Sequence, residues 1–100
     1  MEIHAKDLSI LLFPTRYNIY NTLKNSKKRL YASQIAEKIG VERKLVSFHL
    51  SSLERNGFVT SEFDVQNDPP EEGPPKAVRY YTLTDKAEKL LTELVEEIKL

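Results

Sequence analysis

The sequence predicts a small α+β domain, mainly helical, with one β-hairpin. Three observations predict it. Apolar residues recur at helical spacing in five separate stretches. Between residues 58 and 83 that period gives way to alternation of two, on either side of a proline-rich gap, "QNDPPEEGPP". A chain of 100 residues has room for one core only.

Residues 3–13 read as a short apolar helix striped by Ile3, Leu8, Leu11 and Leu12. Pro14 ends it, because the residue before a proline is pushed out of helical geometry. Thr15 is the expected cap of a second helix over 15–25, with Ile19, Tyr20 and Leu23 inward. "KNSKKRL" reads as a basic loop. In "YASQIAEKIG", Ser33 is the expected cap, Ile35, Ala36 and Ile39 share a face, and Gly40 follows where a helix end wants a left-handed residue. After a short turn, residues 43–56 are helical, with Val46, Leu50 and Leu53 inward, until Asn56-Gly57 stops them. "FVTSEFDV" and "AVRYYTLT" then read as paired strands. A last helix, capped by Thr84, carries a wide stripe of Ala87, Leu90, Leu91, Leu94, Val95 and Ile98.

Two adjacent helices joined by a glycine turn make a helix-turn-helix, and a hairpin directly after it makes the unit winged. The expected order is therefore α-α-α-α-β-wing-β-α in one domain over 1–100. Residues 64–77 form the wing loop, and 1–13 and 84–100 are terminal helices available for dimerisation.

Charge adds a direction. The formal net charge is zero, but residues 14–60 hold nine Lys/Arg against three Glu, a net +6. Residues 61–76 hold five acids against Lys76, a net −4. A polyanion feels that local field, not the total. The absence of cysteine excludes disulfides, thiolate metal sites and a cysteine nucleophile, and fits a reducing, cytoplasmic setting. The start, "MEIHAKDLSILLF", is not a signal peptide, and no apolar run is long enough to cross a membrane. No glycine-rich phosphate loop or nucleophile–histidine pair argues for an enzyme, and nothing argues for a cofactor. His49 reads as a hydrogen-bonded, half-buried residue, and His4 is unaccompanied, so no metal site is expected.

The expected partner is double-stranded DNA. A helix fits the major groove, and its N-terminal residues reach base edges. Arg43, Lys44, Ser47, Phe48 and Ser51 are the candidate base-contacting set. Arg43 and Lys44 suit guanine or phosphate, and small serines let the backbone come close. Phe48 either packs on a thymine methyl or leans into the core, while Ser52 reads as an ordinary surface serine. Lys27, Lys28, Arg29, Ser33, Lys76 and Arg79 are candidate phosphate contacts, sequence-blind and salt-sensitive. The wing complicates this, because Asp68, Glu71 and Glu72 repel phosphates. It either swings away from DNA or meets a protein partner, and a protein–protein module built on the acidic wing is the alternative function. Surplus apolar residues on the terminal helices, Ile3, Leu8, Leu11, Leu12, Leu91, Leu94, Val95 and Ile98, are the expected homodimer interface.

"FPTRYNIYNTL", "ASQIAEKIGVERKLVSFHLSSLERNGFV" and "RYYTLTDKAEKLL" resemble winged-helix transcription regulators of the ArsR type, over nearly the whole chain. The run Ser47-Phe48-His49-Leu50, with Leu53, Gly57, Phe58 and Val59 after it, is similar to that family's recognition-helix signature. The resemblance implies a homodimer joined through terminal helices, binding an imperfect palindrome near a promoter, most often as a repressor. Family members commonly sense metals through cysteines, or through histidines and carboxylates of the last helix. This chain has no cysteine, and "DKAEKLLTELVEEIKL" has no histidine, so metal sensing is not carried over. Phe48 also stands where many members place a polar or basic residue. The Lys/Glu-rich composition suits a heat-adapted prokaryotic source.

Overall fold

The computed structural model describes residues 4–99, so Ile3 lies outside the described residues. The elements are α1 (Ala5–Leu11), α2 (Pro14–Asn25), β1 (Leu30–Tyr31), α3 (Ala32–Ile39), α4 (Arg43–Arg55), β2 (Val59–Val65), β3 (Ala77–Leu83) and α5 (Lys86–Ile98). The expected α+β class and helix order hold, with one strand added.

Helix α1 is shorter than the expected 3–13. Phe13 is extended, with φ −58° and ψ 126°, as a residue before proline must be. Pro14 then opens α2 at its first position, where the missing N–H costs no hydrogen bond. Thr15 is therefore inside the helix and is not its cap. Strand β1 was expected to be loop. Its two residues are too few to show a period, and they pair antiparallel with β3, Leu30 opposite Tyr81 and Tyr31 opposite Tyr80. That pairing moves the start of α3 forward. Tyr31 is its N-cap, and Gln34 Oε1 accepts the Tyr31 N–H at 3.2 Å, so Ser33 is not the cap.

Gly40 ends α3 with φ 69° and ψ 35°, the left-handed geometry expected there. Its N–H and that of Val41 both bond to the Ala36 carbonyl, which closes the turn into α4. Asp85, not Thr84, occupies the cap position of α5. The Thr84 hydroxyl donates to the Gly57 carbonyl at 2.7 Å and accepts the Lys86 N–H at 3.3 Å.

The sheet order is β1-β3-β2. β2 reaches Val65 and β3 starts at Ala77, so the wing loop is 66–76, shorter than the expected 64–77. Since opposed residues share a face, the sheet has two working sides. One side sends Leu30, Val59 and Tyr81 into the main core with Leu11, Ile19, Leu23, Ile35, Val46, Leu50, Leu53, Ala87 and Leu90. The other side buries Tyr31 and Tyr80, whose rings meet edge-on at 5.5 Å. The Arg29 guanidinium lies 4.1 Å over the Tyr80 ring and bonds Glu62 and Asp64 at 2.5 Å each.

This second cluster fastens the hairpin. Tyr31 donates to the Asp68 carboxylate, and the Asn67 N–H donates to the Tyr80 hydroxyl at 2.7 Å. Gln34 Nε2 reaches Asn67 Oδ1 at 3.0 Å. Burial and the bond to Asp68 push the Tyr31 hydroxyl's pKa up. Arg29 holds the Asp64 carboxyl below its ordinary range, and Tyr31 does the same for Asp68.

At the other end, α1 and α5 are linked by His4–Glu93 at 2.7 Å and Lys86–Asp7 at 3.4 Å. Ala87 and Leu90 dock α5 on the core, while Val95 and Ile98 stay exposed. The molecule is elongated, 57 × 21 × 21 Å.

Candidate nucleic-acid interface

Helix α4 is held from behind by Val46, Leu50 and Leu53, each 1% exposed or less. Burying three such side chains contributes several kcal/mol, about 1.5–3 each, and fixes which face turns outward. That outward face carries Arg43, Lys44, Phe48 and Ser51, all exposed, with Ser47 half-buried at its edge. Glu42 precedes the helix without a side-chain cap, and no acid stands in the first turn. Two cations thus sit at the positive end of the helix dipole, unpaired with any carboxylate among the described residues. That arrangement opposes helix stability and favours an anionic partner.

Phe48, for which sequence left two placements open, stands in solvent at 60% exposure. Its neighbour His49 is buried rather than half-buried. The His49 ring lies 5.3 Å from Phe48 on one side and 5.3 Å from Phe13 on the other. Arg16 Nε donates to His49 Nδ1 at 3.1 Å, and Arg16 also reaches the Ile10 carbonyl at 3.3 Å. Burial, then the nearby Arg16 charge, hold the imidazole's pKa below its ordinary value. The back of α4 is thereby tied to the α1–α2 junction. Ser52 is buried, not a surface serine, because it falls on the same inward side as His49.

The expected phosphate contacts divide. Lys27 and Lys28 are exposed in the α2–β1 turn, which Ser26 locks by bonding Lys28 through both its N–H and its carbonyl. They line an open cleft of about 670 Å³ with Lys38, a cation not among the expected contacts, and with two acids, Glu37 and Asp68. Arg29 is a correction. Its guanidinium is occupied by Glu62 and Asp64 and stacked on Tyr80, so it neutralises the wing stem. Ser33 and Arg79 line a second cleft of about 210 Å³, on the other flank of α3, together with Arg43 and Ser47. Lys76 is exposed at the foot of the wing loop. Phe63, also unforeseen, is 67% exposed and lies 4.6 Å from the Arg79 guanidinium.

The expected dimer residues divide too. Leu11 has no exposed surface and belongs to the main core, so it offers nothing to a partner. Leu8, Leu91 and Leu94 are half-buried, and Leu12, Val95 and Ile98 are exposed. Among the described residues no group of three His, Cys, Asp or Glu is placed to hold a metal. No described helix is long and apolar enough to cross a membrane.

No curated protein matches the chain in sequence. A family model described as a helix-turn-helix domain matches residues 11–62, from the last residue of α1 into β2. The match covers just over half the chain and contains α2, α3, the Gly40 turn and α4, so the chain belongs to this helix-turn-helix family of DNA-binding regulatory domains.

Proposed function

We propose that the protein is a sequence-specific regulator that binds double-stranded DNA as a homodimer, an ArsR-like winged-helix repressor. α4 lies in the major groove, where Lys44, Phe48 and Ser51 face base edges and Phe48 packs on a thymine methyl. The observation that carries the reading is the outward face of α4: two unpaired cations, two serines and an exposed phenyl on one rigidly backed helix. The exposed apolar ends of α1 and α5, Leu12, Val95 and Ile98, join two copies and set their α4 helices one duplex turn apart, about 34 Å. Lys27, Lys28 and Lys76 approach the phosphate backbone.

A gel shift with genomic fragments across a salt series tests this. Retardation that falls steeply with salt is expected, and Arg43→Ala with Lys44→Ala weakens it more than tenfold at unchanged melting temperature. Unchanged binding by that variant contradicts the reading. A second reading, a protein partner at the wing, draws on Glu71 and Glu72, which are exposed at the tip and ion-paired with nothing among the described residues.

A further inference from the structure

We propose that Ser33, Arg43, Ser47 and Arg79 form a single site for one backbone phosphate of duplex DNA, with Phe63 as the positioning residue for Arg79. The inference rests on the DNA-binding reading and goes further, because it takes Arg43 and Ser47 away from base reading.

The four residues come from three elements. Ser33 is in the first turn of α3, Arg43 and Ser47 are one turn apart on α4, and Arg79 is in the middle of β3. They meet in the 210 Å³ cleft, whose other walls are Tyr31, Ala32, Val78 and Tyr81. The cleft opens to solvent and presents two guanidinium groups and two hydroxyls, all able to donate to an anion. Neither guanidinium pairs with a carboxylate among the described residues, although Arg29, just before β1, pairs with two on β2. Two like charges converging on one cleft repel each other, and an anion between them reverses that repulsion. Arg43 and Arg79 supply planar forks suited to phosphate oxygens, and the serine hydroxyls supply short donors.

Phe63 explains how Arg79 is aimed. The two are opposed in the β2–β3 register, so their side chains rise from the same sheet face. Stacking on the exposed ring fixes the plane of the guanidinium and leaves its N–H edge free. With Arg43 and Ser47 turned toward the sheet, Lys44, Phe48 and Ser51 remain for bases. Contacts then sort into backbone positioning by the cleft and sequence reading by the outer face.

The test measures binding of the full chain to a panel of short duplexes over a salt series. The wild type, Arg43→Ala, Arg79→Ala, the double arginine variant, Phe63→Ala, Phe63→Trp and Phe63→Ala with Arg79→Ala are compared. Each arginine variant binds every duplex more weakly by a similar factor, keeping their rank order. The double arginine variant's salt slope falls by ~1.8 for the homodimer, the equivalent of one phosphate in each half-site. Phe63→Ala weakens binding, Phe63→Trp restores it, and Phe63→Ala has no further effect once Arg79 is removed. A slope loss of ~3.6 in the double arginine variant means two separate phosphates per protomer and overturns the shared site. Reordering of the duplexes by Arg43→Ala makes Arg43 a base reader and also overturns it. A wild type whose duplex binding ignores salt overturns the DNA reading itself, and the site with it.

Discussion

Arg43 and Lys44 stand at the helix end where the dipole is positive, with no acid in the first turn and no ion pair among the described residues. A charge reversal there separates stability from function. Lys44→Glu is expected to raise stability by roughly 0.3–1 kcal/mol in a denaturant titration while abolishing duplex binding. His49 makes a different prediction. Its folded pKa is depressed, so below about 6.5 the unfolded chain takes up a proton that the folded chain refuses. Stability is full above that pH and falls as the pH drops through it, because protonation places a charge on a buried ring beside the Arg16 cation. Melting temperature measured between pH 7.5 and 5 shows the fall, and His49→Gln flattens it. Asp64 and Asp68, whose folded pKa values are also depressed, contribute stability above their unfolded value near 3.8 and lose it only as pH falls below that. The histidine's environment was half legible in the sequence. Its position beside Leu50 implies burial, but Arg16 is 33 residues away and no local pattern points to it.

Among the elements, α4 was the most legible. Its apolar residues keep the helical period, and the glycines at 40 and 57 bound it with φ of 69° and 81°. A Cβ at position 40 meets nothing within 4 Å, so Gly40→Ala costs only the backbone strain of a left-handed residue, roughly 1–2 kcal/mol by denaturant titration. The hairpin was legible as two strands and a loop, but its anchorage was not. Arg29 reads as one of three successive cations, and its partners Glu62 and Asp64 lie 33 and 35 positions on. Only the Tyr31–Tyr80 pairing, made by a strand too short for periodicity, brings them together. The acidic wing is correspondingly less hostile to DNA than its composition suggests. Three of its five acids are engaged by Arg29 and Tyr31, and Glu71 and Glu72 remain. Arg29→Met is expected to speed backbone hydrogen exchange in β2 and the wing, leaving α2 through α4 protected.

At the scale of the whole molecule, the exposed basic residues of α4 and the exposed apolar residues of α5 lie on different elements of an elongated chain, 57 Å long. The total charge of zero gives no sign of this, whereas the segregation of basic and acidic segments does. Leu11 and Ile98 show how far an apolar stripe can be read. Both lie on short amphipathic helices, but one is sealed in the core and the other is 73% exposed. Leu11→Ala therefore destabilises the fold by about 2–5 kcal/mol. Val95→Glu with Ile98→Glu is expected to leave melting of the monomer unchanged while sedimentation shifts from dimer to monomer. If the exposed face of α4 meets the duplex, its backbone amides respond to DNA. Titrating duplex DNA into isotope-labelled protein, and following backbone amide shifts by NMR, tests it most directly. Perturbations are expected to concentrate at residues 43–51, with lesser ones at Lys27, Lys28, Ser33 and Arg79. Shifts confined to the wing tip around Glu71 and Glu72, with α4 silent, would contradict it.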